Sequence, residues 1–365
     1  MSNYKPIYTI TQDIIRSIVR IEAVKNTIIS MPITPQILAS LRQTARLYTT
    51  HYSTMIEGNK LSSEQIKQVL ELKGHFPGRE RDEQEVKGYY AALTQIEKWA
   101  AEGKTLDEHM IKTIHSLVMG NGTTRNKPTA YRDGQNVIKD GHTGAIVYMP
   151  PEASDVPILM KQLVAWINNA HDLSPIIVAG IAHYQFATIH PYYDGNGRTA
   201  RLLTTFILHA RGYDMHGLYA LEEYYARNLG NYYDALTIGH SHNYYMGRPE
   251  ADITPWLTYF STGMAKACEA LLKKMAPAKS AGSKDHSALI YTLNAQQRKA
   301  LTLFAHQKTI KSKDVGTLFN YKPRTSAQLC ARWVQEGFLT IANNSNKGRT
   351  YQLSTTYADL VTDID

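Results

Sequence analysis

The stretch His190-Pro191-Tyr192-Tyr193-Asp194-Gly195-Asn196-Gly197-Arg198-Thr199-Ala200-Arg201 brings a histidine, a carboxylate, two glycines and two arginines into twelve residues. The segment before it opens with Ser174 and Pro175, which helices favour as N-cap and first residue. Because proline disfavours helical backbone in the residue before it, this helix is predicted to end at His190. A second helical period of apolar residues runs from Arg198 to Gly212. The stretch is therefore predicted to join two helices.

The predicted loop, Tyr192 to Gly197, suits an anion. Its glycines flank an asparagine, so backbone N–H groups can turn toward a ligand without obstruction by Cβ atoms. The following helix N-terminus adds partial positive charge, and Arg198 and Arg201 offer forked donors that match phosphate oxygens. Asp194 is the only carboxylate in the loop, and Mg²⁺ commonly takes one or two protein carboxylates. His190 is then the candidate general base.

These residues resemble the signature of the Fic family, His-x-Phe-x-Asp/Glu-Gly-Asn-Gly-Arg-x-x-Arg. The resemblance implies an all-helical fold that transfers AMP from ATP to a hydroxyl of a target protein and releases pyrophosphate. It implies that His190 deprotonates the incoming hydroxyl and that Asp194 holds Mg²⁺. Tyr192 stands where the family usually has Phe, so its hydroxyl is expected to need a partner or water if the ring is buried. Activity is expected to tolerate this change.

The same resemblance assigns the phosphates of ATP. The cradle for the α- and β-phosphates would be Gly195, Asn196 and Gly197, and Arg198 and Arg201 would hold the β- and γ-phosphates. Relatives that use other phosphate donors, such as the kinase-like members, change the glycine after the acidic residue. That glycine is retained here, so AMP transfer is predicted.

A second motif lies upstream, at the end of a helix predicted at about residues 36–58. Its inward stripe is predicted at Leu38, Leu41, Ala45, Tyr48, Tyr52 and Met55. The segment Ser53-Thr54-Met55-Ile56-Glu57-Gly58 resembles the inhibitory motif of the family, Ser/Thr-x-x-x-Glu-Gly/Asn, which implies that Ser53 and Glu57 are inhibitory. Glu57 would pair with Arg201 and keep it from the γ-phosphate. Alone, a serine four residues before a glutamate indicates only a solvated helix end.

Two short apolar runs around an Asp-Gly turn, within residues 136–149, predict a β-hairpin. A surface hairpin without function is the alternative. In the Fic family the corresponding hairpin is a flap, and the target segment lies beside it as an added strand. The resemblance therefore implies that a target protein docks along 136–149, and the chain's own hydroxyls are further candidate targets.

Tyrosines are frequent after Gly212, and their ordinary use is helix packing. The resemblance implies that a helix in this region closes the adenine pocket. Tyr224, Asn228 and Tyr232 are accordingly predicted to touch the base.

A chain of 365 residues with a net charge of +8 is long enough for two or three domains, and the charge is compatible with nucleotide, nucleic acid or solubility alone. Two cysteines, Cys268 and Cys330, give no disulfide framework and suit a reducing compartment. No apolar run approaches the length of a membrane span, and the first residues lack the apolar core of a signal peptide. A cytoplasmic protein is expected.

The predicted fold is mainly α: a Fic-type helical bundle with a β-hairpin flap and a C-terminal winged helix-turn-helix domain. The domains are expected at residues 1–100 (N-terminal helical region with the inhibitory helix), 101–275 (Fic catalytic domain), 276–286 (linker) and 287–365 (winged helix). The last domain is inferred from the order helix, helix, helix, strand, strand. Its basic face is predicted to comprise Lys311, Lys313, Lys322, Arg324, Arg332, Lys347 and Arg349. DNA and protein docking are both open for it.

Two classes of function follow. The first is a protein adenylyltransferase that uses ATP and Mg²⁺ and is inhibited by Glu57. The second is a DNA-binding regulator whose Fic-like domain only senses nucleotide, although a sensor would not need His190. De-AMPylation through Glu57 and a homodimer are left open.

Overall fold

The computed structural model describes residues 4–30, 35–72, 74–120, 122, 127–139, 144–239, 242–280, 293–304, 307–345 and 348–362. The chain divides into two compact units, one of residues 38–274 with 1–33 and one of residues 275–365 with 34–37. Among the helices in the described ranges, none has both the length and the apolar character needed to cross a bilayer.

Up to residue 280 the described part of the chain is mainly helical and contains one short hairpin. Its elements are α1 (Gln12–Ile29), α2 (Pro35–Ile56), α3 (Ser63–Glu71), α4 (Glu80–Ala101), α5 (Glu108–Val118), β1 (Ile138–Lys139), β2 (Ile146–Tyr148), α6 (Val156–Asn169), α7 (Pro175–Ile189), α8 (Asn196–Ala210), a 3₁₀ turn (Met215–Gly217), α9 (Leu221–Arg227), α10 (Leu229–Leu236) and α11 (Thr254–Ser280).

Helix α7 forms the centre of the first unit. It is mostly apolar and is buried on all sides, since nearly every residue from Ile176 to Ile189 is buried. It packs on α8, which also packs on α4 and α5. These two deeply buried helices, α7 and α8, thus hold the stretch from His190 to Arg201, the predicted catalytic loop.

The inward face of α2 differs from the predicted apolar stripe. Tyr48 is 38% exposed and Met55 is 36% exposed, whereas Thr50, Ser53 and Thr54 are fully buried. Small hydroxyl side chains can be buried here because Thr50 and Thr54 donate to backbone carbonyls one turn earlier, at 2.8 and 2.9 Å. The stripe prediction was right at Ala45, which is buried, and wrong at Tyr48 and Met55. It followed apolar residues only, whereas small polar side chains form much of the buried face.

The hairpin is present where it was predicted. Strands β1 and β2 pair antiparallel, with Ile138 opposite Tyr148. Most of the predicted turn, residues 140–143, lies outside the described residues. Helix α3 begins with a capping box, in which Ser62 accepts from the backbone of Gln65 and the Gln65 side chain accepts from Ser62 N–H.

The second unit has the predicted order of elements. They are α12 (Ala295–Ala300), a 3₁₀ turn (Leu301–Phe304), α13 (Ser312–Phe319), α14 (Pro323–Gln335), β3 (Leu339–Asn343), β4 (Thr350–Leu353) and α15 (Thr355–Thr362). Strands β3 and β4 pair antiparallel, and the core includes Ile310, Trp333 and Phe338. The order agrees with a winged helix, which remains a prediction.

The predicted linker differs from the structure at its start. Helix α11 continues to Ser280, so residues 276–280 are helical. Alanine and lysine, which are frequent in this segment, are good helix formers and extend the helix past the point where small polar residues indicated a linker. The rest of the predicted linker lies outside the described residues.

Candidate active site

The loop between α7 and α8 has left-handed backbone at both ends. His190 is the C-cap of α7 with φ 50°, and Gly195 is the N-cap of α8 with φ 75°. Helix α8 begins at Asn196, two residues earlier than predicted. The backbone N–H groups of its first turn lack intrahelical acceptors and form an anion-binding helix end.

The imidazole of His190 is held in its neutral form. Its Nδ1 lies 3.3 Å from the carbonyl oxygen of Ala187, and because a carbonyl only accepts, Nδ1 must carry the proton. Burial lowers the pKa of His190 to about 4, despite the opposing effect of that hydrogen bond. At neutral pH the other nitrogen, Nε2, therefore has a free lone pair.

Arg132 fixes the backbone of the loop at His190 and Pro191. It was not predicted from the sequence. Its Nε donates to the carbonyl of His190 at 3.0 Å, and its backbone N–H donates to the carbonyl of Pro191 at 2.9 Å. A further guanidinium N–H donates to the carbonyl of Pro151, just after the flap. Arg132 thus joins the catalytic loop to the flap, and no motif in the sequence marks it.

Asp194 is placed as a single accessible carboxylate. Its side chain is 54% exposed, and Oδ1 accepts from the backbone N–H of Gly195 at 2.6 Å. Within the part of the chain that the structure describes, no group of three or more His, Cys, Asp or Glu side chains could hold a metal by itself. One exposed carboxylate beside an anion-binding helix end fits Mg²⁺ that takes its remaining ligands from phosphate and water.

His115 supports the loop at Asp194 and Tyr192. It was not predicted from the sequence either. Its Nε2–H donates to the carbonyl of Asp194 at 2.9 Å, and its ring stacks on Tyr192 with 3.6 Å between centroids. Burial lowers the pKa of His115 to about 4, so the ring is neutral. Tyr192 is 2% exposed, yet among the described residues its hydroxyl has no partner. The expected partner for that hydroxyl is therefore not found there.

The side chains of Asn196 and Arg198 both contact neighbouring residues of the protein. Asn196 accepts from the backbone N–H of Tyr192 at 3.0 Å and donates to its carbonyl at 2.8 Å, which fastens the loop. Arg198 is 2% exposed and lies 3.5 Å from Asp194 and 3.8 Å from Glu85. At residue 196 the backbone, and not the side chain, is thus the part available to a phosphate.

Arg201 makes the contact predicted from the upstream motif. Its Nη2 donates to Oε1 of Glu57 at 2.8 Å and to the carbonyl of Ser53 at 2.9 Å, and its Nε donates to Oγ of Ser53 at 2.8 Å. Burial acts to lower the pKa of Arg201, but the Glu57 carboxylate and nearby tyrosines outweigh burial and raise it. Both predicted inhibitory residues therefore reach the second arginine of the loop.

Glu57 reaches Arg201 because the first turn of α8 contains a glycine. A Cβ added at Gly197 would collide with Oε1 of Glu57 and lie 3.2 Å from Nη1 of Arg201. Gly58, with φ 93°, ends α2 and turns the chain after Glu57. The contact therefore depends on a glycine in each of two distant segments.

Of the three residues predicted to contact adenine, two line the same cavity and the third is buried elsewhere. Tyr224 and Asn228 line a cavity of about 500 Å³ bordered by α2, α9 and α11, and no residue of the catalytic loop lines it. Tyr232 is buried apart from that cavity, with its hydroxyl 2.9 Å from Nε2 of His183. The structure does not bring the three side chains together, and their contact with adenine stays a prediction.

The flap is anchored beside the loop. The side-chain amide of Asn136 donates to the carbonyl of Tyr192 at 3.1 Å, and the Tyr148 hydroxyl donates to the carbonyl of Thr188 at 3.0 Å. After β2, Met149 hydrogen-bonds with residues 242 and 244. Residues 242–244 therefore cover the hairpin edge where β2 ends.

Comparison with known proteins identifies the domain around this loop. Residues 105–208 match the Fic/DOC family. The protein adenylyltransferase Fic of Drosophila virilis is 33% identical over 166 residues, which are 45% of this chain and 33% of that protein. Its counterpart in Drosophila ananassae is 33% identical over 181 residues, 48% of this chain and 35% of that protein. The chain thus spans about a third of these relatives.

Two solved structures share the fold. A Fic family protein from Desulfovibrio desulfuricans has a TM-score of 0.63 and 24% identity, and the match covers 96% of this chain and 99% of that one. A Fic domain-containing signaling protein from Bacteroides thetaiotaomicron has a TM-score of 0.58 and 24% identity, covering 72% of this chain and 96% of the other. The resemblance drawn from the catalytic loop is thereby confirmed, and so is the mainly helical Fic-type fold.

Proposed function

We propose that this chain, in which residues 105–208 form a Fic/DOC family domain, is a protein adenylyltransferase that moves AMP from ATP to a Ser, Thr or Tyr hydroxyl of a target protein. The observation that carries the proposal is His190, whose Nδ1 is held by the Ala187 carbonyl and which ends α7 just before the anion-binding start of α8. The relatives named protein adenylyltransferase support the same reaction class.

In the proposed reaction, Nε2 of His190 takes the proton of the target hydroxyl as the oxygen attacks the α-phosphorus of ATP. The new oxygen–phosphorus bond forms while the bond to the bridging oxygen of the β-phosphate breaks, and pyrophosphate leaves with that electron pair. The backbone of Gly195 to Gly197 and the guanidinium groups of Arg198 and Arg201 orient the phosphates. Asp194 would hold Mg²⁺, which neutralises phosphate charge when bound.

The target segment is proposed to add along β1. The segment after residue 241 already hydrogen-bonds at the end of β2, through the Met149 backbone. A strand added to the other edge of the hairpin would pair with Ile138–Lys139. Such a strand would present its hydroxyl toward the loop that Asn136 contacts at Tyr192.

Autoinhibition by Glu57 is part of the proposal. While Nη2 of Arg201 is paired with Glu57, it cannot bind the γ-phosphate, and the α-phosphorus is misaligned with the incoming hydroxyl. The alternative, in which Glu57 assists removal of AMP, uses the same side chain and is tested by incubating labelled protein without ATP.

Two labelled forms of ATP test the reaction class. With the α-phosphate labelled, the protein is expected to become labelled, and with the γ-phosphate labelled it is not. Label from the γ-phosphate alone would indicate a kinase. Binding of ATP without incorporation from either position would favour the nucleotide-sensing regulator.

Replacing Asp194 with alanine is expected to lower AMP transfer on the order of 10²-fold and to remove its dependence on Mg²⁺, because no other loop carboxylate is available. The measurement is a Mg²⁺ titration of label incorporation. Asp133→Asn is the matched control, since Asp133 is an exposed acid that accepts from the Tyr193 hydroxyl at 2.8 Å. An Asp194→Ala protein with the parent's Mg²⁺ response would place the ion on another carboxylate.

The second unit is proposed to contact DNA. Of its predicted basic residues, Lys311, Lys313, Lys322, Arg324, Arg332 and Arg349 are exposed, and Lys347 lies outside the described residues. If three phosphates are contacted, affinity for duplex DNA should fall roughly fortyfold between 50 and 200 mM salt. A gel-shift titration of the full chain measures this. No binding at 50 mM salt would assign the unit to protein docking.

A further inference from the structure

The side chain of Arg132 donates from each of its three nitrogens to a different backbone carbonyl. Nε donates to His190 at 3.0 Å, Nη1 donates to Gly134 at 3.0 Å, and Nη2 donates to Pro151. Arg132 is only 4% exposed, so water competes little for these contacts. Because a guanidinium is planar and rigid, it fixes the three carbonyls relative to one another.

Two of these carbonyls belong to the stems of the flap, since Gly134 precedes β1 and Pro151 follows β2. Gln135 adds a second tie between the stems. Its side-chain amide donates to the carbonyl of Pro150 at 2.9 Å, and its side-chain oxygen accepts from Nη1 of Arg132 at 3.3 Å. The stems are thus held together by side chains as well as by the pairing of β1 with β2.

The third carbonyl belongs to His190, whose backbone is left-handed with φ 50°. A residue with a Cβ is strained in this region and stays there only when its surroundings hold it. Arg132 holds the backbone on both sides of Pro191, because its Nε donates to the carbonyl of His190 and its backbone N–H donates to the carbonyl of Pro191 at 2.9 Å. If the backbone of His190 relaxed to another region, its imidazole would change direction.

We propose that Arg132 is a positioning residue for AMP transfer, which holds the imidazole of His190 in register with the flap and thus with the hydroxyl of a target segment paired along β1. This rests on the proposed function of His190 and of the flap. Among the described residues, none of the side-chain hydrogen bonds of Arg132 goes to the phosphate cradle, Gly195 to Gly197. Misalignment of base and hydroxyl should therefore slow transfer without weakening ATP binding.

The first test adds Arg132→Lys to the full chain carrying Glu57→Gly, in which labelling is expected to be high. Lysine keeps the positive charge but lacks the rigid fork. The maximal rate of self-labelling from α-labelled ATP is expected to fall roughly ten- to a hundredfold, while the ATP concentration that gives half this rate changes less than about twofold. An unchanged rate, or a parallel change in the ATP concentration, would overturn the proposal.

Hydrogen exchange, followed by mass spectrometry of peptides, tests the contact with the flap and does not depend on activity. Peptides that cover residues 144–151 are expected to exchange about tenfold faster in the Arg132→Lys protein than in the protein with Glu57→Gly alone, because the stems lose a tie. Equal exchange of these peptides in the two proteins would also overturn the proposal.

Arg211→Lys is the matched control. The guanidinium of Arg211 likewise donates to backbone carbonyls, those of Ala170 at 2.7 Å and Ile167 at 2.6 Å, but these lie at the C-terminal end of α6. This variant is expected to leave the labelling rate and the exchange of the flap near those of the Glu57→Gly protein. An equal fall in the labelling rate with Arg211→Lys would contradict a specific role of Arg132.

Gln135→Ala provides a second variant in case Arg132→Lys does not fold. It removes only the second tie between the stems, and it is expected to change both measurements in the same direction by about threefold. If the Glu57→Gly protein incorporates no AMP, the proposed function fails. If it does incorporate AMP, and neither Arg132→Lys nor Gln135→Ala changes its rate, only the role of Arg132 fails.

Discussion

Replacing Glu57 with glycine is expected to raise self-labelling by AMP roughly ten- to a hundredfold, although Glu57 takes no part in the transfer itself. The carboxylate occupies Nη2 of Arg201 at 2.8 Å, and its removal frees that donor for the γ-phosphate. The increase corresponds to a bias of about 1.4 to 3 kcal/mol, within the range for a charged hydrogen bond. Label incorporation from α-labelled ATP is the measurement.

Two further variants test whether release of Arg201 causes the increase in self-labelling. Met55→Gly introduces the same residue at an exposed position of α2, and it should leave labelling near the parent level if release of Arg201 is the cause. Arg201→Ala should be poorly active even with Glu57→Gly, because the phosphate contact is lost. Equal labelling by the parent and the Glu57→Gly protein would reject inhibition by Glu57 and leave the catalytic loop unaffected.

His190→Ala is expected to lower AMP transfer about 10²- to 10⁴-fold and to leave ATP affinity nearly unchanged. In the proposed reaction the imidazole acts on the target hydroxyl, while α8 and its arginines hold the phosphates. His171→Ala, at an exposed histidine, is the control for loss of a ring elsewhere. Transfer rates and calorimetric ATP affinities are compared, and undiminished labelling by His190→Ala would exclude it as the base.

The loop and the positions of its side chains could be predicted because they are local in sequence. Proline after His190 and the glycines around Asn196 specify where one helix ends and the next begins, and the functional side chains lie between them. The contact between Glu57 and Arg201 spans 144 residues, yet it was predicted because the resemblance supplied the pairing. The spacing of residues along the sequence gives no information on the contact between Glu57 and Arg201.

The supporting residues could not be predicted for the same physical reason. Arg132 is 58 residues from His190, and His115 is 79 residues from Asp194. Each acts through a backbone carbonyl, and the position of a carbonyl leaves no mark on residue type. His115 had one usable signal, since it is a polar residue at a helical position that the apolar period of its helix turns inward.

The buried face of α2 was predicted incorrectly in part, for a related reason. Periodicity identifies an inward face by its apolar residues, but the buried residues of α2 include Thr50, Ser53 and Thr54, of which Ser53 contacts Arg201. Their hydroxyls can be buried because each is satisfied within the helix or by Arg201. A polar face of this kind is apparent only when the partner across the interface is known.

Peptide mass spectrometry of the Glu57→Gly protein, after incubation with ATP and Mg²⁺, shows directly whether the protein attaches AMP to a hydroxyl. We expect AMP on a Ser, Thr or Tyr hydroxyl, and no such adduct when His190→Ala is added. A protein that binds ATP under these conditions and carries no AMP, or carries phosphate in its place, would contradict the proposal that the loop from His190 to Arg201 transfers AMP.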